Sequence, residues 1–161
     1  MASEPGIEIT EEVASVGEFT RFYEAHHSEV VRWAALVLGS DAMANDVVHD
    51  AFIEVWRRWA RLERPSGYLR RCVAHGCRDV QRRDRRSRAR AHLLADDASV
   101  VPTEPIFDLL DRLPFNQRAA VVLRFYGGLT EAEIAETLGA RPGSVGPWIT
   151  RALRTLRKEL A

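Results

Sequence analysis

Apolar residues step by three and four along most of the chain and nowhere alternate over a useful length, so the elements the pattern predicts are helices. From Ser15, with Glu18 in capping-box position, Phe19, Phe22, Tyr23, Val30, Trp33, Ala34 and Val37 form one stripe that Gly39 stops. Asp41 to about Trp59 predicts a second helix, with Ala44, Val47, Val48, Ala51, Phe52, Val55, Trp56 and Trp59 inward. Its other side, Asp46, His49, Asp50, Ile53, Glu54 and Arg57, is mainly acidic. Pro65 then pushes the residue before it out of helical geometry. Ser66 is placed to cap a third helix, with Tyr68, Leu69, Cys72, Val73, Gly76, Cys77 and Val80 inward. After Val80 that face ends, and Gln81 to Arg90 is mostly arginine, either a solvated helix end or a phosphate-binding surface.

Beyond this run the periodicity lapses and then returns. Residues 92–105, with alanine, aspartate, serine, threonine and two prolines, read as a flexible linker. Phe107, Leu110 and Leu113 predict a short helix ended by Pro114, and Gln117 to Tyr126 another ended by Gly127 and Gly128. Thr130 and Glu133 form a capping box before Ile134, Ala135 and Leu138, and Gly139 ends that helix. Pro142 and Gly143 make a corner, Ser144 is placed to cap again, and Val145, Ile149, Ala152, Leu153, Leu156 and Leu160 repeat at helical spacing. The last pair is a helix-turn-helix, which presents the first turns of its second helix to a DNA major groove; an ordinary helical hairpin shares the outline. The expected fold is all-α, with a flexible N-terminus at 1–14, one helical domain at 15–91, a linker at 92–105 and a second helical domain at 106–161.

Composition changes this picture through its distribution rather than its total. The 161 residues carry no net charge, yet Met1 to Trp56 holds eleven acids against two bases, and Arg57 to Arg90 thirteen bases against three acids. An acidic front and a basic middle point to two different partners. No apolar run is long enough to cross a bilayer and the N-terminus is acidic, so membrane insertion is not expected and a cytoplasmic location is. Cys72 and Cys77, five residues apart on one helix, stand too far apart for a disulfide and read as buried thiols of a reducing compartment.

Catalytic chemistry finds little support. Asp46, Asp50 and Glu54 lie on an outer helix face without the ExxH spacing of bundle metal sites, and no P-loop, nucleophile elbow or HExxH occurs. A zinc or redox site could be assembled from His49, Cys72, His75 and Cys77, but the paired ligand spacing of zinc sites is missing. No enzyme, metal or cofactor is expected. For nucleic acid, the third helix combines Tyr68 near its start with Arg70, Arg71, Arg78, Arg82 and Arg83, able to hold phosphates while a ring remains for bases. The short loop from Arg61 to Ser66 is suited to receive a base taken out of the stack.

These residues carry a resemblance. The order FTRFYEAHHSEVVRWAALVLG, MANDVVHDAFIEVWRRW, PSGYLRRCVAHGCRDVQRR and LDRLPFNQRAAVVLRFYGGLTEAEIAETLGARPGSVGPWITRALRTLRKEL resembles the sigma-70 family of transcription initiation factors. It is most similar to the small extracytoplasmic-function (ECF) type that keeps only regions 2 and 4. The resemblance implies a subunit that binds bacterial core RNA polymerase through Asp46, His49, Asp50, Ile53 and Glu54. It implies minus-ten promoter DNA recognition by Arg61, Arg64, Tyr68, Arg71, His75, Arg78 and Arg82. Minus-thirty-five recognition falls to Ser144, Trp148, Thr150, Arg151 and Arg154, and an anti-sigma factor is a partner common to the type. The chain departs from the family at Gly146 and Pro147, where a basic residue and a serine are usual, and at Trp148, where a polar or basic side chain is. The tip of the recognition helix thereby loses hydrogen-bonding capacity, which favours a weakened minus-thirty-five preference or, alternatively, a stand-alone DNA-binding regulator on a sigma fold.

Overall fold

The computed structural model describes residues 5–92 and 104–161, with the side chains of 5–10, 88, 89, 91 and 92 left aside. Its order is α1 (Pro5–Leu38), α2 (Asp41–Arg57), α3 (Pro65–His92), α4 (Pro105–Asp111), α5 (Phe115–Val121), α6 (Glu131–Leu138) and α7 (Val145–Leu160). A 3-10 turn at Trp59–Arg61 precedes α3, a π turn at Val122–Tyr126 continues α5, and a 3-10 turn at Pro142–Ser144 joins α6 to α7. Strands are absent among the described residues.

α1 is longer than its stripe suggests. Residues 5–14, expected as a flexible lead-in, are helical, and so Ser15 is interior rather than a cap. Pro5 suits a first helical position, where its missing N–H has no partner to lose, and the acids that follow favour the positive end of the helix. α2 starts on a cap as expected, Ser40 Oγ accepting from the Met43 N–H at 3.2 Å. Its buried stripe is Ala44, Val47, Val48, Ala51, Phe52 and Val55. Trp56, expected inside, is 42% exposed, and Trp59 lies half-buried in the 3-10 turn; both rings still pack against Phe19 of α1, with centroids 5.0 Å and 5.3 Å away, at the rim of the core. α3 begins at Pro65, so Ser66 sits within its first turn, and the Tyr68 N–H donates to the Arg64 carbonyl at 3.2 Å.

α1, α2 and α3 pack together around Trp33, Val37, Val48, Phe52, Val55, Leu69 and Val73. Gly76 marks the closest approach of α2 and α3, since a Cβ there would fall 2.7 Å from Val47 Cγ1. α4 to α7 gather around Leu113, Leu123, Ile134, Val145 and Ala152, with α5 lying along α7. The proposed linker at 92–105 lies outside the described residues between 93 and 103; His92 ends α3 and Pro105 already belongs to α4.

The helix-turn-helix closes as its punctuation requires. Thr130 Oγ1 accepts from the Glu133 N–H at 3.2 Å. Gly139 adopts the left-handed conformation, φ 63°, while the Ala140 N–H reaches back to the Ala135 carbonyl at 2.8 Å. Ser144 does not cap: the 3-10 turn runs straight into α7, leaves Ser144 with φ −83° and ψ −28°, and aims no hydroxyl at the helix start. Leu160, read as part of the inward stripe, is exposed in the last turn, past the end of the core.

Candidate nucleic-acid and partner interfaces

The outer face of α2 is as the sequence suggests at four of its five named positions. Asp46, His49, Asp50 and Ile53 are exposed. Glu54 is half-buried and engaged: it accepts from Arg57 at 2.8 Å and also from Arg58. The Arg58 guanidinium, with Arg57 beside it, holds the Glu54 carboxyl below its ordinary range. Alongside this face runs an apolar groove of about 330 Å³ lined by Val16, Phe19, Tyr23, His49, Phe52, Ile53 and Trp56. The exposed Trp56 and the early turns of α1 make this groove, and neither was read from the sequence as part of an interface.

The seven positions assigned to minus-ten recognition do not form one continuous surface. Arg61 is exposed in the turn before α3. Tyr68 is half-buried between the guanidiniums of Arg58 and Arg71, each 5.8 Å from its ring centroid, and burial raises its phenol pKa. Tyr68, Arg71 and His75 line a groove of about 540 Å³ between α2 and α3, which also takes Asp50, Glu54 and Arg83. Arg78 and Arg82 instead open onto a cleft of about 350 Å³ shared with Phe115, Asn116, Trp148 and Arg151. Arg64 reaches the same C-terminal unit, pairing with Glu136 at 3.2 Å.

On the recognition helix α7, Thr150, Arg151 and Arg154 are exposed, while Ser144 and Trp148 are half-buried. Trp148 packs against the core of its own chain rather than standing free. At Gly146 a Cβ would lie 3.4 Å and 3.6 Å from the two carboxylate oxygens of Glu131. An acid from the first turn of α6 therefore rests against the first turn of α7, where the helix dipole favours it. Sequence spacing gave no hint of this, because the contact crosses the corner between two helices.

The thiols are structural. Burial pushes the Cys77 thiol up to about 12, and burial likewise raises Cys72, which keeps both in the neutral form that neither attacks nor ligates well. Among the described residues no cluster of three or more histidine, cysteine or acidic side chains is arranged to hold a metal ion.

Comparison with known proteins falls on the same two units. The family model for sigma-70 region 2 matches residues 22–87, and that for sigma-70 region 4 matches residues 103–156. The chain is 31% identical to the ECF RNA polymerase sigma factor SigE of Mycolicibacterium smegmatis, over 94% of this chain and 65% of that one. It is 30% identical to the ECF RNA polymerase sigma factor SigM of Mycobacterium tuberculosis, over 88% of this chain and 76% of that one. Among solved structures it is similar to the sigma factor RpoE of Bartonella quintana, crystallised with the anti-sigma factor NepR. The TM-score is 0.73 at 18% identity, over 89% of this chain and 96% of that one. CnrH, solved with the cytosolic domain of CnrY, gives 0.67 at 23% identity, over 88% and 86%. The two structural likenesses are likenesses of fold.

Proposed function

This chain belongs to the sigma-70 family, in its ECF branch, and from that membership we propose that it binds bacterial core RNA polymerase and directs promoter-specific initiation in the cytoplasm. It performs no chemistry of its own. The first helical unit, 15–91 with the earlier turns of α1, would take the polymerase and the minus-ten element. The second, from Pro105 onward, would take the minus-thirty-five element.

The observation that carries this reading is the outer face of α2, where the carboxylates of Asp46 and Asp50 stand exposed beside the apolar groove ending at Ile53 and Trp56. An acidic stripe flanking an apolar trough fits a basic amphipathic helical partner, which the coiled coil of the largest polymerase subunit supplies in this family. Glu54, tied to two arginines, contributes less to this face than Asp50 does. For DNA, Arg61, Arg71 and Arg82 offer phosphate contacts and Tyr68 a ring for a displaced base, and Thr150, Arg151 and Arg154 face the major groove. Trp148 packs against the core and reaches DNA only if that packing is released. The related sigma factors solved with an anti-sigma factor or with CnrY support a protein antagonist here too.

Run-off transcription with core polymerase on a genomic promoter library tests this. The expected result is a set of new start sites that share a two-part upstream element. Asp50→Arg is expected to lower apparent polymerase affinity about tenfold or more, through charge reversal at the centre of the face. Absence of transcripts, together with no co-elution with core polymerase, would overturn the initiation reading. One observation favours a second reading: the tip of α7 carries Gly146 and Pro147 with the Glu131 carboxylate against it, a poor start for groove recognition. A stand-alone regulator would bind duplex DNA with a steep salt dependence and gain nothing from core polymerase.

A further inference from the structure

We propose that Glu131 is a specificity-determining residue of the helix-turn-helix: its carboxylate, lent by α6 to the bare tip of α7, selects a cytosine in the major groove. The inference rests on the reading of α7 as a recognition helix, which the initiation factor and the stand-alone regulator share.

The tip of α7 is built without reading groups of its own. Val145 and Ile149 are buried and anchor its first turns to the core, and Trp148 packs there too. Between them Gly146 has no side chain, and the exposed Pro147 has neither a polar side chain nor an N–H. Ser144, just before the helix, is half-buried. The first exposed side chain of α7 able to hydrogen-bond is therefore Thr150, four residues and about 6 Å along the axis beyond Gly146.

Glu131 fills that gap. Thr130 fixes where α6 begins, its Oγ1 accepting from the Glu133 N–H at 3.2 Å, while Ile134 and Ala135 are buried in the corner. Glu131 is thereby held in the first turn of α6 and is exposed there, with its two carboxylate oxygens 3.4 Å and 3.6 Å from where a Cβ of Gly146 would stand. A larger side chain at 146 would compete with the carboxylate for that place, and glycine leaves it to Glu131. None of the ion pairs among the described residues includes Glu131.

Hydrogen-bond chemistry then selects the base. An ionised carboxylate only accepts hydrogen bonds. Guanine and thymine turn acceptors to the major groove, and adenine sets its N7 acceptor beside the N6 amine. Cytosine alone offers an amine, N4, with no acceptor on the same base. Phosphates repel the same charge, so the carboxylate weakens binding to every duplex and the cytosine contact decides which duplex recovers. A tip that is poor at general groove binding is thereby selective.

Selection from a pool of short duplexes with a randomised core, using the full-length chain without polymerase, tests this. Glu131→Gln and Glu131→Ala are compared with the unmodified chain after circular dichroism confirms equal helix content. The unmodified chain is expected to enrich a motif with cytosine at one fixed position. Glu131→Gln is expected to change that position to adenine, whose N6 and N7 a glutamine amide can pair together. Glu131→Ala is expected to lower the preference for cytosine there about tenfold in fluorescence anisotropy and to leave the other positions as they were. The same motif from all three chains would overturn the assignment. A uniform rise in affinity for every duplex, with an altered salt slope, would also overturn it, reducing Glu131 to a repulsion of phosphate. An unmodified chain that enriches no motif would overturn both the assignment and the recognition reading of α7. Run-off transcription separates the rest: a motif switch without transcripts sinks the initiation reading and keeps the role of Glu131, and transcripts with an unchanged motif sink that role alone.

Discussion

Arg118 is the only charged side chain among the described residues to be buried, and nothing in its sequence neighbourhood announces it. The hydrogen bonds described for it go to carbonyls five, eight and 81 residues away, and a pattern of side-chain types cannot register a bond made to backbone. Cys77 is the opposite case: its place on the inward stripe of α3 was plain from spacing, and its chemistry follows from burial. Its thiol is raised from 9.0 to about 12, so the folded chain keeps a proton that the unfolded chain releases above pH 9. The stability that depends on this is full below pH 9 and declines as pH rises toward 12. Denaturant unfolding is expected to show a loss of stability on the order of 1 kcal/mol between pH 8 and pH 10 attributable to this residue. Cys77→Val is expected to remove that part of the loss, and an equal loss in the variant would refute the assignment.

At the scale of elements, the helices were legible because they are amphipathic, and their ends were legible only where a cap or a left-handed glycine does the stopping. Thr130 and Gly139 delimit α6 as read. Ser144 does not, because a cap needs an extended residue before the helix and the 3-10 turn supplies a helical one. The two serine/threonine positions should therefore separate under substitution. Thr130→Ala is expected to cost about 1 kcal/mol in chemical denaturation. Ser144→Ala is expected to stay within about 0.5 kcal/mol. Equal effects would show that the hydroxyl of Ser144 has a partner in solution. The N-terminal extension of α1 was missed for a related reason: a Pro-Gly pair reads as a turn, yet proline at a first helical position starts a helix as readily as it ends one.

The molecule as a whole is two helical units whose existence the sequence announced and whose relation it did not. Periodicity reports which face of a helix is inward, but several of the side chains that join the units are polar and read as solvated. Arg64 and Arg78 looked like free DNA contacts because their acceptors, Glu136, Asn116 and Leu138, lie 38 to 72 residues away.

Arg118 donates to the Val37 carbonyl in the last turn of α1 and Arg78 to the Leu138 carbonyl at the end of α6, and this exchange of arginines between helix ends also shapes what mutation can reach. In a screen for chains whose two units separate, donors at Arg118 and Arg78 and the acceptor side chains at Asn116 and Glu136 are open to loss by single codon changes. The carbonyls of Val37 and Leu138 are not, since every amino acid carries one. The backbone part of the contact is therefore invisible to genetics, and a map of substitutions that separate the units would trace the donors and the two side-chain acceptors but neither carbonyl.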